Sequence, residues 1–507
     1  MRVRADEVCA VIASRSWSVA RWLRVLSDTL HRRRPTSTVA PTAVAQRPRP
    51  TIFIECTHTY HSDLNTGIQR VVRNVLRNAP AVAHEYGYDV VPVIVEADRF
   101  RFADAERVLA NKQSGHGGSA TNSLLVPPRL QQRVWRALLR ILAAALPFPA
   151  VRAFLYAPPH RPGLARALSL LSPFRRRSPP RPVGVLDGLD DYDRCDGSIL
   201  LLLDSSWATP IWPGTLRFKQ RGGMVVGVIC DLIPITHSYT CVPELSEAFK
   251  DWIAGHLRFS DGFVCISGAV ADTLADHIRG LRPHRALPSW TRIDHFHLGS
   301  ELDFIESSAP VRPAIRDIFT AKQHVFLVVG TIEPRKMHSY VLDGFDRYWA
   351  GGNDAVLVIV GRYSWKMEAF LDRAANHFEF RRRLFVLRDV TDAELDYCYR
   401  NASSLVIASQ VEGFGLPVVE AFQRGLPVMC SDIPVFREIA DGKAVFFSLS
   451  DPANLTTALV DFCNRVPLGE RSKRVPQSWI NWRQSTEQLF VAIMRILQRP
   501  HVPMRDS

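Results

Sequence analysis

Short apolar runs of strand length alternate with stretches of helical spacing along most of the chain. In the second half the runs HVFLVVG, AVLVIVG, LFVL, SLVIAS, LPVMCS and AVFF predict six strands with helices between them, the alternation of a doubly wound parallel sheet. The first half has its own series: TIFIEC, YDVVPVIVE, SILLLLDSSW, GMVVGVICDLIP, DGFVCISGAVADTL and, as the last strand before a hinge at SSAPVRPAI, FHLGSELDF. After TIFIEC a loop and helix follow, with Thr66 as candidate cap and Ile68, Val71, Val72 and Val75 on one helical face. Ser267 caps a further predicted helix, and the pattern from Ser478 to Leu497 predicts a closing one.

At 507 residues the chain exceeds the size at which one core stops growing, so two α/β domains with appendages are expected. The boundaries read as a basic N-terminal segment over 1–50, a first domain over 51–305 with a basic helical insertion at about 103–195, a second domain over 306–475, and a terminal helix and tail over 476–507. The net charge of +13 belongs to the appendages. Residues 1–50 hold ten arginines against Asp6, Glu7 and Asp28, and residues 127–186 hold eleven arginines and no acid. Arg129, Arg133, Arg136 and Arg140 share one helical face, beside Leu130, Val134, Leu138, Ile141 and Leu142. Such a stretch suits an anionic membrane surface; the plain alternative is a helical hairpin packed on the domain. Nucleic acid is a poorer fit, because aromatic residues are not regularly interleaved with the arginines as a base-stacking surface would need.

Nine scattered cysteines without a CxxC pair, and sixteen histidines without an HExxH pair, predict reduced thiols and no metal centre. No run reaches the roughly 20 apolar residues that span a bilayer. The start of the chain lacks an apolar stretch with a cleavage site, so no secretory signal is expected.

The candidate chemistry centres on Ser404 to Glu420, SLVIASQVEGFGLPVVE. The apolar run predicts a strand, Ser409 to Gly415 a loop, and Pro417 the first turn of a helix, a layout whose helix amides suit a phosphate. Gly413 and Gly415 leave room for close backbone approach, while Glu412 and Glu420 on either side would bind hydroxyls. A diphosphate between polyhydroxylated rings, a nucleotide sugar, meets both demands. The plain alternative is a strand-to-helix turn whose acids favour the helix start.

EGFGLPVVEA, with its glutamates eight positions apart, resembles the E-x7-E motif of the retaining glycosyltransferases of family 4, which have the GT-B fold. VVGTIEPRKMHSYVLDGF resembles that family's glycine turn and basic clamp, and VMCSDIPVFREIA its next strand and loop. The resemblance implies two Rossmann-like doubly wound domains facing a cleft, and a terminal helix that crosses back to the first. It implies that Arg335 and Lys336 grip the diphosphate after the Gly330–Thr331 turn, that Glu412 meets the donor sugar and Glu420 the ribose, and that amides of Gly413, Phe414, Gly415 and Leu416 bind sugar or phosphate. The base would lie near Arg388, Asp389 and Val390. On the acceptor side Asp231, past a strand end, and His237, Gly67 and Arg70 are candidates, each with a plain alternative as turn former, helix start or solvated side chain. Cys230 stands where relatives often carry histidine, which removes direct transfer of a catalytic histidine. No metal is required: the Asp190–Asp191 pair lies in a predicted loop without a supporting strand.

The expectation is a retaining hexosyltransferase, with mannose as first donor sugar, that takes a nucleotide sugar as co-substrate, needs no cofactor and acts on a glycan or lipid-linked acceptor in surface polysaccharide assembly. It would work in the cytoplasm at the inner membrane face. The rival from another class is a non-catalytic adaptor of the same fold that holds membrane or anionic polymer through its arginine segments.

Overall fold

The computed structural model describes residues 49–62, 67–109, 187–281, 292–300, 310–320, 322–468 and 475–498. Thr66 and the arginine-rich stretches before residue 49 and at 129–140 lie outside them. The strands form two sheets. The first contains β1 (Thr51–Glu55), β2 (Asp89–Glu96), β3 (Arg99–Phe102), β4 (Ile199–Leu202), β5 (Met224–Ile229), β6 (Gly262–Cys265) and β7 (Ile293–His295), in the order β3-β2-β1-β4-β5-β6-β7. The second contains β8 (His324–Val329), β9 (Ala355–Val360), β10 (Leu384–Leu387), β11 (Ser404–Ile407), β12 (Val428–Ser431) and β13 (Val445–Phe447), in the order β10-β9-β8-β11-β12-β13. All pairings are parallel except β2 with β3. Two α/β sheets, parallel but for one edge strand, are the architecture that the resemblance to the family implied.

Strands covered on both faces read as continuous apolar runs, and β1, β4 and β9 are buried along their whole length. Helices α1 (Gly67–Glu85) and α2 (Gly268–Leu281) belong to the first sheet; α3 (Leu416–Gln423) and α4 (Pro434–Ala440) follow β11 and β12 of the second. Helix α5 (Trp482–Gln498) comes after the second sheet yet packs along α1, β6 and β7 of the first. Its Leu489, Phe490 and Ile493 are fully buried, and Phe490 meets Tyr86 with ring centroids 6.1 Å apart. One apolar cluster runs from Ile54 and Val264 through Phe296 to Phe414 and Val435, so the sheets share packing where their loops meet.

One expectation is corrected, and two further features were not foreseen. The edge strand of the first sheet is β7, Ile293–His295, and the chain from Phe296 to Ser300 is irregular. Apolar Phe296 and Leu298 drew the expectation downstream, but they are buried beyond the strand end, while β7 itself is polar because it is an edge. The antiparallel β3, RFRF, was not foreseen, since only its phenylalanines alternate inward. The described ends of the expected insertion also pack on the first sheet. Val108 is buried and its carbonyl accepts from Arg73, while Leu189, Tyr192 and Cys195 join the core around Phe53 and Phe218.

Candidate active site

Three of the expected side chains converge at the ends of β8 and β11. Lys336 Nζ donates to Glu412 Oε1 at 2.6 Å, and Arg335 Nη1 stands 2.6 Å from Glu412 Oε2. Arg335 reaches in two further directions, to Glu333 at 2.6 Å and to the Val411 carbonyl at 3.0 Å, while the Gln410 amide donates to the Arg335 carbonyl. Ser409 Oγ donates to Glu412 Oε1 at 2.8 Å, so every oxygen of this carboxylate is engaged. Burial alone would raise the Glu412 carboxyl, but the two cations outweigh it and hold it at about 2. Arg335 is correspondingly pushed above its ordinary value: burial opposes its charge, and Glu412 and Glu333 more than restore it.

Local sequence accounts for this convergence. Gly330 has φ +142°, a backbone region open to glycine, and a Cβ there would stand 3.1 Å from the Lys336 Cε. The missing side chain is what lets Lys336 fold back over the turn. Exposed Thr331 leads into Ile332, which is pinned by Arg362 and Ser364. Gly415 takes φ +110° at the start of α3, with Phe436 filling the space beside it.

Gly413 has a neighbour that the sequence did not disclose. A Cβ on it would lie 2.1 Å from the carbonyl oxygen of Cys230, at the end of β5 in the other sheet. Ser267 Oγ donates to the Gly413 carbonyl at 2.8 Å and also accepts from the Val270 amide, capping α2. Phe414 turns into the core, with rings of His297 and Trp479 at 5.9 and 6.1 Å. The loop expected to face phosphate therefore also carries the contact between the sheets, and Gly413, Phe414 and Gly415 are buried in it. Leu416 opens α3, half-buried.

Glu420 is placed differently. It is 1 % exposed, and its two oxygens meet Arg70 Nη1 of α1 at 2.8 Å and the Tyr399 hydroxyl at 2.7 Å. Arg70 thus answers an acid of the other sheet. Asp231 belongs with the first group: burial raises its carboxyl, Arg335 opposes, and Glu412 and Glu333 add repulsion. It accepts from the Ile233 amide and lines a small pocket with Asp204, Ser205, Trp207 and Trp252. His237 is not brought to Glu412. Its Nδ1 lies 2.9 Å from Thr236 Oγ1 and its ring beside Tyr239. Gly67 is exposed with open space where a side chain would be. Arg388 lies over the Tyr363 ring at 4.2 Å, the Asp389 carbonyl accepts from Arg312, and Val390 packs on the core. Asp190 is taken by Arg217 and Arg221.

Sequence reasoning missed Glu333, Ser409 and Tyr399. The first two lie two and three positions from Arg335 and Glu412, whereas Tyr399 sits on a separate helix and carried no signal. A second tie spans the sheets nearby: Trp365 Nε1 donates to the Thr240 carbonyl at 2.8 Å, and Lys366 Nζ to the Tyr239 carbonyl at 3.0 Å.

Residues 312–464 match the family model described as Glycosyl transferases group 1. Over 278 residues, 54% of the chain, the sequence is 31% identical to the serotype-specific mannosyltransferase WbdA of Escherichia coli, of which this covers 34%. Over 139 residues, 27% of the chain, it is 31% identical to the O-antigen chain mannosyltransferase RfbU of Salmonella typhimurium, covering 38% of that protein. The matched regions therefore span only a third or so of these curated relatives. Among solved structures, Anabaena HepE in complex with UDP and glucose aligns with a TM-score of 0.46 and 10% identity over 88% of this chain and 95% of its own.

Proposed function

We propose, from the match of residues 312–464 to the Glycosyl transferases group 1 family model, that the protein is a retaining, metal-independent α-hexosyltransferase. The observation that carries the reading is the convergence of Arg335 and Lys336 on Glu412 between the Gly330 turn and the start of α3. Glycosyl transfer breaks the bond from the anomeric carbon to the donor phosphate. The electron pair leaves with the diphosphate, and the sugar ring gains positive character. Two fixed cations and the N-terminal amides of a helix are suited to that leaving group, because charge set in place beforehand needs no rearrangement as the bond breaks. Glu412 keeps both cations oriented and would accept from donor sugar hydroxyls, and Glu420, beside Arg70, would accept from the ribose. The acceptor oxygen then forms the new bond on the face the diphosphate leaves, and its proton passes to the departing phosphate oxygen.

Mannose is the donor sugar we favour, from the mannosyltransferase relatives, and the acceptor a glycan or lipid-linked sugar of a surface polysaccharide. Among the described residues no helix is long and apolar enough to cross a membrane. Work at the cytoplasmic membrane face, with the arginine-rich segments as peripheral contacts, completes the proposal. The test is incubation of the purified chain with GDP-mannose, UDP-glucose and UDP-galactose and extracted lipid-linked acceptors. Transfer with retained anomeric configuration, lost in Lys336→Ala and Glu412→Ala, is expected. No transfer with any donor, or transfer indifferent to both changes, would leave the non-catalytic adaptor as the better account.

A further inference from the structure

His295 ends β7 and His297 follows two residues on, with their ring centroids 5.8 Å apart. Glu438 of α4 approaches from the other sheet, and one ligand atom from each of the three lies within 4.8 Å of the others. His297 Nε2 is 2.8 Å from Glu438 Oε1. Two of the three groups are held firmly. The Gly268 and Ala269 amides, at the start of α2, donate to Glu438 Oε1 and Oε2 at 2.8 and 2.9 Å. His297 is fixed through its backbone, where Gln488 accepts from its amide and Ser485 donates to its carbonyl. Its ring lies against those of Phe414 and Trp479. His295 is exposed, with its ring 5.8 Å from that of His297.

We infer that His295, His297 and Glu438 bind a zinc ion that ties the edge of the first sheet to α4 of the second. Two imidazoles and one carboxylate are a donor set that borderline-soft zinc prefers and that hard magnesium or calcium does not. At ordinary zinc bond lengths, tetrahedral ligand atoms stand about 3.4 Å apart. The 2.8 Å contact of His297 with Glu438 has only to open by a fraction of an ångström, and the exposed His295 ring has to swing inward. The ring proton of His297 moves from Nε2 to Nδ1 as the metal takes its place. Water would complete a tetrahedral zinc.

The site shares no residue with the cluster of Arg335, Lys336 and Glu412 and does not depend on the transfer chemistry. Its effect is mechanical. The clasp lies next to Phe414, beside the Gly413 contact between the sheets, so metal occupancy favours their closed arrangement. The third ligand lies 141 residues beyond His297, which is why the sequence pattern predicted no centre.

The experiment is titration of the full-length chain, free of affinity tag and dialysed against chelator, with zinc chloride by calorimetry, together with thermal unfolding. One zinc bound per chain with micromolar or tighter Kd is expected, with a raised Tm and no response to magnesium chloride. His295→Ala, a change at an exposed position that leaves the helix cap intact, should weaken binding at least tenfold and abolish the rise in Tm. Absence of zinc binding overturns the proposal. Zinc bound equally well by His295→Ala, as thiols elsewhere would give, overturns it as well.

Discussion

Gly413 of the second sheet lies so close to Cys230 of the first that a Cβ would stand 2.1 Å from the Cys230 carbonyl oxygen. Backbone meets backbone there, so no side chain can turn aside. Gly413→Ala is therefore expected to destabilise the chain by about 2 to 3 kcal/mol, the cost of overpacking a rigid contact. It should also lower glycosyl transfer, because Glu412 is the next residue. Urea unfolding followed by an activity assay checks this, and an unchanged midpoint would contradict it.

The ion pair of Arg70 with Glu420 joins α1 to α3 and is almost wholly removed from water. Taking away one partner leaves a buried charge with less compensation, so Arg70→Met should cost about 3 kcal/mol or more. Adding Glu420→Gln removes the stranded charge while the Tyr399 hydroxyl keeps an acceptor. The double variant should recover part of the loss, and strict additivity in a double-mutant cycle would argue against the pairing.

Glu412 is held at about 2 against an ordinary 4.5, although burial alone would raise it, because Arg335 and Lys336 favour its charged form. The folded group is more acidic than the unfolded one, so its stabilisation is present above pH 4.5 and is lost as pH falls toward 2. The shift corresponds to roughly 3 kcal/mol. Glu412→Gln should therefore flatten the acid limb of the stability curve between those limits. Chemical denaturation at closely spaced pH values reads this out; an acid limb identical to that of the wild type would refute it.

Glu55 shows the opposite sign. It ends β1 fully buried, and burial together with the neighbouring Asp204 raises its carboxyl to about 7, although Thr57 and Ser206 donate to it. Here the folded state holds its proton longer than the unfolded one. Stability is full below pH 4.5 and falls as pH rises through 7. Glu55→Gln, which keeps an acceptor for Thr57 and Ser206 and removes the charge beside Asp204, should match the wild type near pH 4.5 and be more stable than it at pH 8 by about 1 to 3 kcal/mol. A variant less stable at pH 8 would mean that the carboxylate is needed there.

What the sequence disclosed and what it hid divide along a physical line. The buried strands of both sheets were legible because parallel strands covered on two faces must be apolar throughout, as in β1, β4 and β9. The polar edge β7 and the short antiparallel β3 were not, since an edge imposes no such run. In the site, Arg335, Lys336 and Glu412 were legible through local motifs, and the structure joins them directly. Contacts between the halves were hidden, because nothing in the spacing of residues places Cys230 against Gly413 or Arg70 against Glu420. Those glycines and acids were read only for what they offer a ligand, and they also hold the two sheets together.

The last prediction separates position from charge at Lys336. Its stem lies over Gly330, where a Cβ would be 3.2 Å from Nζ and the backbone has φ +142°. Gly330→Ala retains the ammonium but forces either the turn or the lysine to shift, with backbone strain of about 1 to 3 kcal/mol. If the ammonium acts on the leaving diphosphate, a displacement of even a fraction of an ångström weakens it when charge builds up on the phosphate oxygens, more than when the donor merely binds. Gly330→Ala should then lower kcat at least tenfold with a smaller change in KM for the nucleotide sugar, and Lys336→Ala should lower it further. The double variant should be no worse than Lys336→Ala alone, since the glycine matters through the lysine. Fully multiplicative losses would show that Gly330 serves the donor directly, by admitting the phosphate to the backbone, and the positioning argument would fall.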